Sequence, residues 1–287
     1  MNEDGHTPAK EELCRQKNIE YKVLHRKPHG DLPVRSTTTL RSVCTIPFRI
    51  DLAGGWLDQP YVSKHYPGSV VTISIEPTID FNDRSGMSSS TRRKAMELWK
   101  TELPSGDIEQ HAKILFAFEN PPGTTQISGS QDSIGIVFPG LNKLNYNNTY
   151  WPSSIQTVND DDVLTWIESH LYLVTLGPRV STYNVLANTH LTKENVKALA
   201  DATDECWEAL IKKDLKKFGA AFKKAFEAQI AIFPNMADAE ILKVIEHYKN
   251  KAIGWKLSGA GGGGYLILVS ETPIENAIQI KIKRRDI

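Results

Sequence analysis

Residues 256 to 269 read K-L-S-G-A-G-G-G-G-Y-L-I-L-V, so that Ser258, Gly259, Ala260 and four consecutive glycines separate two apolar stretches. Ile253, Trp255, Lys256 and Leu257 predict the end of a short strand. Tyr265 to Val269 predict a buried strand of aromatic and branched residues. Each glycine costs roughly 0.5–1 kcal/mol of conformational freedom against alanine, so a run this long points to a demand made on the backbone. Two demands fit. One is a tight hairpin turn; the other is close approach of N–H groups to an anion, which a Cβ would block. The glycines alone favour neither.

A second stretch, R-S-V-C-T-I-P-F-R-I-D-L-A-G-G-W-L-D over 41–58, alternates Phe48, Ile50 and Leu52 with Arg49 and Asp51, the pattern of a strand. Gly54 and Gly55 then turn the chain and place Trp56 and Asp58 beyond the strand end, where α/β proteins often bind ligands. The same residues fit a hairpin with surface charges. Downstream, S-V-V-T-I-S-I (69–75) predicts a strand. D-R-S-G-M-S-S-S-T-R-R-K (83–94) then joins a glycine turn to N-capping serines and a helix from Arg92 to Lys100. A turn of this kind offers N–H groups, hydroxyls and a positive dipole end, which suits phosphate; an ordinary capped helix fits as well.

Residues 108–119 predict an amphipathic helix ending before Pro121. S-G-S-Q-D (128–132) reads as a small-residue loop in which Asp132 either approaches a ligand or caps the next segment. Residues 171–176 predict a strand. Three helices are expected over about 192–212, 214–232 and 237–251, with Asp214 as an N-cap and Phe218, Phe222 and Phe226 as a core stripe. Lys212, Lys213, Lys216 and Lys217 read as a solvated face, and Ile278, Ile280 and Ile282 as one side of a half-buried strand. The 287 residues, 40% hydrophobic and 24% charged, are those of a globular protein. Lys+Arg equals Asp+Glu, which gives no field for nucleic acid or an anionic membrane. No apolar run approaches a membrane span, and the polar N-terminus lacks a signal-peptide core. Cys14, Cys44 and Cys206, odd in number and widely spaced, predict a reducing, cytoplasmic setting.

Three stretches in fixed order resemble the GHMP kinases, the family of galactokinase, mevalonate kinase, fucokinase and heptose kinases. They are P-F-R-I-D-L-A-G-G-W-L-D-Q-P (47–60), S-G-M-S-S-S-T (85–91) and K-L-S-G-A-G-G-G-G-Y (256–265). S-G-S-Q-D is similar to the segment that carries the family's catalytic aspartate. The resemblance covers roughly residues 40 to 270. It implies an α+β two-domain fold: a shortened N-terminal kinase domain over 39–165 and a helix-rich C-terminal domain over 166–287, after an extension over 1–38. It further implies transfer of the γ-phosphoryl group of ATP, with Mg²⁺, to a hydroxyl of a monosaccharide or sugar phosphate.

By the same resemblance Ser85, Gly86, Met87, Ser88, Ser89, Ser90 and Thr91 would cradle the triphosphate, and Ser90 with Glu119 would hold Mg²⁺. Asp132 would take or orient the acceptor's proton beside Arg49. Gly55, Trp56 and Asp58 would contact the sugar. Ser258, Gly259, Ala260, Gly261 and Gly262 would close over the phosphates.

Two departures stand out. Gly55 and Gly86 are only 31 positions apart, where the family carries strands that help wall the adenine. Arg92, Arg93 and Lys94 replace small and apolar residues, and need partners, a phosphate or solvent. Upstream, residues 25–41 weakly resemble the tail of cytidylyltransferase-type enzymes but lack an H-x-G-H motif. The expectation is a sugar kinase with no nucleic-acid or membrane partner. The alternatives are a non-catalytic sugar- or nucleotide-binding relative, and the kinase half of a split bifunctional sugar-nucleotide enzyme.

Overall fold

The computed structural model describes residues 44–285 except 83, 178 and 180–182. The expected extension over 1–38, with its cytidylyltransferase-like stretch to 41, lies outside the described residues, as does Cys14. The described residues form one compact unit. Two antiparallel four-stranded sheets organise it. The first has the order β1 (Phe48–Ala53), β2 (Gly68–Ile75), β3 (Leu141–Tyr146), β4 (Ser154–Val158). The second has the order β6 (Gly254–Leu257), β7 (Gly264–Val269), β5 (Leu171–Gly177), β8 (Ile278–Gln279).

Eight α-helices complete the fold among the described residues: α1 (Pro60–Ser63), α2 (Ser89–Trp99), α3 (Ile108–Glu119), α4 (Ser130–Val137), α5 (Asp161–His170), α6 (Lys193–Ile211), α7 (Leu215–Ile232) and α8 (Ala239–Tyr248). Side-chain caps set several of their starts. Asp107, Asp160, Thr192, Asp214 and Asp238 each accept a backbone N–H from the first turn. α6 and α7 form an antiparallel pair, and Phe218, Phe222 and Phe226 are buried as a stripe at helical spacing. Lys212, Lys213, Lys216 and Lys217 are exposed.

The border expected between 165 and 166 falls inside α5. Val163, Leu164 and Ile167 of that helix are buried in one core cluster with residues of both sheets. The two sheets are also stitched by the chain after β8. Ile282 bridges Ile75 of the first sheet, and the Lys281 and Lys283 carbonyls accept the N–H groups of Glu76 and Gly140. The alternation of Ile278, Ile280 and Ile282 is therefore real, but only 278–279 is strand, because the segment leaves one sheet for the other.

Five elements were not visible in the residue pattern: α1, β3, β4, α5 and α4. The last corrects the reading of 128–132 as a loop, since helix α4 begins at Ser130 and carries Asp132 in its first turn behind the N-cap Gly129. Between β2 and α2 the described residues of the short interval hold no strand.

Candidate active site

A cavity of about 480 Å³ opens between the two sheets, a size ordinary for a small-ligand pocket. Four segments wall it, with Arg179 after β5 as a fifth contributor: the end of β1 with its glycine turn, the turn into α2, the first turn of α4, and the loop between β6 and β7. At β1 every residue is buried, the charged ones included: Arg49 is 4% and Asp51 1% exposed. That overturns the surface-hairpin alternative. Arg49 and Asp51 point into the interior on the cavity side, while Phe48, Ile50 and Leu52 fill the core. A register shift between Asp51 and Ala53 marks a bulge at this place, a device that re-aims side chains beside sites.

Arg49 spans two carboxylates. Its Nη1 donates to Asp51 Oδ1 at 3.1 Å and its Nη2 contacts Asp132 Oδ1. Burial pulls the Arg49 guanidinium down from its ordinary value, against the pull of Asp51 and Asp58. Asp132 Oδ1 also accepts from Ser88 Oγ at 2.5 Å. Ser88 stands at the N-cap of α2 with a left-handed φ of 54°, and its side chain makes no cap bond. The capped-helix alternative is thus corrected. The serine that would satisfy the helix N–H groups turns to Asp132 instead, so the positive end of α2 faces the cavity with capacity for an anion.

The turn into α2 and the glycine loop touch backbone to backbone. A Cβ on Gly86 would lie 2.4 Å from the Ser258 carbonyl, and one on Gly259 would lie 2.6 Å from Gly86 Cα. Both glycines have positive φ. Ser258 Oγ donates to the Ser85 carbonyl and accepts the Tyr265 N–H. The loop meets the first demand posed by its glycines, since it is the β6–β7 hairpin, and it lies in the cavity wall against the α2 turn. Gly261 lines the cavity too, and a Cβ there would fall 2.6 Å from the Met236 carbonyl. Met87 and Thr91 are buried behind the wall.

On the other side lie Trp56 and Asp58. Trp56 holds a φ of 83° and packs its ring on Phe233 at 4.8 Å between centroids; a bulky side chain in this region is strained. Asp58 is 2% exposed and accepts from Gln131 Nε2 at 2.8 Å. Burial pushes its carboxyl up to about 6, with Arg49 pulling the other way. A Cβ on Gly129 would sit 1.4 Å from Asp58 Oδ2, so glycine alone fits there. Gln131, Gly129, Asp51, Lys256 and Arg179 escaped the sequence reading. The small residues of S-G-S-Q-D were the available signal for two of them.

Glu119 Oε1 accepts from Thr91 Oγ1 at 2.7 Å. Ser90 is the neighbour that lines the cavity. Glu119 Oε2 is buried without a partner, and burial raises the carboxyl's pKa. A buried, half-satisfied carboxylate fits a hard cation. Among the described residues no three acidic, His or Cys side chains form a metal cluster.

The replaced residues of α2 also find places. Arg92 Nε donates to the Ile46 carbonyl at 2.8 Å, and its guanidinium lies 4.2 Å over the Phe48 ring. Arg93 lines the cavity with Arg84 and Arg179. Lys94 pairs with Glu97 at the surface.

The fold has known counterparts. Mevalonate kinase superimposes with a TM-score of 0.56 at 12% identity, over 84% of this chain and 99% of that one. Galactokinase of Lactococcus lactis, complexed with galactose, superimposes with a TM-score of 0.54 at 15% identity, over 79% and 84%. The fold is that of the GHMP kinases. No family model matches the sequence. Two curated proteins do. One is the bifunctional fucokinase/GDP-fucose pyrophosphorylase of Arabidopsis thaliana, 25% identical over 59% of this chain and 17% of its own length. The other is the L-fucokinase/L-fucose-1-P guanylyltransferase of Bacteroides fragilis, 19% identical over 82% and 35%. The chain thus spans about a third or less of these relatives. No helix among the described residues is long and apolar enough to cross a membrane.

Proposed function

We propose that this GHMP-kinase fold transfers the γ-phosphoryl group of ATP to a hydroxyl of a monosaccharide or sugar phosphate. One observation carries the reading. Asp132 is held at Oδ1 by both Arg49 and Ser88, at the point where the uncapped end of α2 meets the pocket that contains Asp58. A proton acceptor and an anion site thereby share one cavity.

The triphosphate lies along the α2 turn, against its N–H groups and the Gly259 loop. The acceptor sugar lies against Trp56 and Asp58. Asp132 takes the acceptor hydroxyl's proton as its oxygen bonds to the γ-phosphorus and the bond to the bridging oxygen of ADP breaks. Arg49 stays beside both charges and stabilises what develops on the phosphoryl oxygens. Ser90 and Glu119 would hold Mg²⁺, whose contribution is charge neutralisation on the phosphates.

A second reading has an observation behind it. The interval between β2 and α2 supplies no strand to wall a base, which favours a relative that binds sugar or nucleotide without turnover. The names of the two curated relatives favour a third: the kinase section of a bifunctional sugar-nucleotide enzyme. The test is ADP release from ATP and Mg²⁺ across a panel of monosaccharides and sugar 1-phosphates, with L-fucose included. Sugar-dependent ADP release is expected. A thermal shift with ligand but no turnover would favour the non-catalytic reading, and neither response would overturn the assignment.

A further inference from the structure

Lys256 is fully buried, and so is the carboxylate it meets. Its Nζ lies 2.7 Å from Asp51 Oδ2 and donates also to the Leu257 carbonyl at 2.9 Å. Asp51 Oδ1 accepts from Arg49 Nη1 and from the Gly259 backbone N–H, each at 3.1 Å. A Cβ on Gly55 would fall 2.6 Å from Asp51 Oδ2, so the turn carrying Trp56 and Asp58 packs on the same carboxylate. One side chain therefore touches three walls of the cavity. They are the Arg49–Asp132 pair, the glycine loop and the acceptor turn. It is anchored from β1 of the first sheet to β6 of the second.

Removing two charges from water is rarely repaid by their mutual attraction, and apolar replacements are often as stable. A buried ion pair is thus weak as a source of stability. Its value here is geometric, because a charged carboxylate holds a guanidinium and an amide in fixed directions, and an apolar side chain holds neither.

We propose that Asp51 and Lys256 are positioning residues: Lys256 neutralises Asp51 in the junction, and Asp51 orients Arg49 toward Asp132 and, by accepting the Gly259 N–H, fixes the glycine loop in the cavity wall. The proposal rests on the phosphoryl-transfer reading for its kinetic consequence. Displacement by about an ångström can cost about 10²-fold in rate. Asp51→Asn and Lys256→Met should each lower kcat by about 10²-fold while both KM values change little.

The deciding variant is the double replacement Asp51→Leu with Lys256→Met, which removes both charges together and should keep the fold even if a single variant loses it. Its thermal midpoint should equal or exceed that of the wild type, with kcat still about 10²-fold down. Amide exchange in the peptide across the β6–β7 loop should be faster in the same variant, because the Gly259 N–H has lost its acceptor. A double variant with wild-type kcat and wild-type loop exchange would overturn the proposal, since the pair would then be structural filling. Loop exchange is read without any substrate. If the wild-type protein transfers no phosphoryl group, faster loop exchange still supports the positioning role while the kinase reading fails, and unchanged exchange rejects it.

Discussion

The two sides of the cavity are built on different principles. The side formed by β1 and the glycine loop is a dry junction of fixed charges, in which Arg49, Asp51 and Lys256 are all at least 95% buried and both cations bond to Asp51. The side formed by the turn into α2, with α3 packed on that helix, is open: Ser90 and Arg93 are exposed, and Arg84, Arg93 and Arg179 line the cavity beside the turn. On the proposed reading, the first side aligns the reacting groups and the second meets the phosphoryl donor. Substitutions on the first side should therefore act on rate and pH dependence, and those on the second on metal use or stability.

The largest effect should follow from Asp132→Asn. The amide keeps the shape and removes the charge that takes the proton, so kcat should fall by roughly 10²–10⁴-fold, with the ATP-induced thermal shift retained. Retention of most of the turnover would break the contrast at its centre.

Asp58 should set the response to pH. Its folded value of about 6 stands above an ordinary value of 3.8, so the fold favours the neutral acid. That stability is fully present below about 3.8 and is lost as the pH rises through about 6, by as much as roughly 3 kcal/mol. Binding works the other way, since the charged carboxylate is the better acceptor for sugar hydroxyls. Sugar KM should rise as the pH falls below about 6, while ATP KM does not. Asp58→Asn should flatten both profiles and raise sugar KM about tenfold or more at pH 7, the price of a lost charged hydrogen bond of roughly 1.5–3 kcal/mol. A wild-type KM profile without an inflection near 6 would remove Asp58 from the acceptor site.

On the open side, Glu119→Gln should raise the Mg²⁺ concentration needed for half-maximal turnover several-fold, because an amide is a poorer ligand for a hard cation. An unchanged Mg²⁺ requirement would leave the unpaired Oε2 as a structural feature only. The smallest effect should come from Arg92→Met. It forfeits the contact over Phe48 and the bond to the Ile46 carbonyl, about 1 kcal/mol read as a lower thermal midpoint, with kinetics unchanged. A kinetic defect there would show that the open side too is aligned through its packing.

What could be read from the residues was local. The strands β1, β2, β5, β6 and β7, the helices α2, α3 and α6–α8 and the cap at Asp214 follow from patterns a few residues long, because backbone propensity, capping and side-chain periodicity act over one or two turns. The exposed lysines around 212–217 follow for the same reason. The glycine loop and the R-I-D-L-A-G-G-W-L-D stretch were conspicuous, since residues intolerant of substitution stand close together in the chain. Helix α4 was masked because Ser130, Gln131, Ser133 and Gly135 give little apolar period, although all are buried.

Tertiary structure decided the partners. Nothing in the order of residues says that Lys256 will meet a carboxylate 205 positions earlier, that Thr91 will reach Glu119, or that Ser88 will leave its helix end for Asp132. Nor does it say that Arg49 and Asp51, alternating in a strand like surface charges, face inward. These outcomes depend on where two sheets meet, and electrostatics is set by distance and burial, which have no local signature. The sequence by itself determined which segments become strand, helix and turn. The packing of one sheet against the other determined which of their charged groups are buried together, because distance and burial, not chain order, set their interaction.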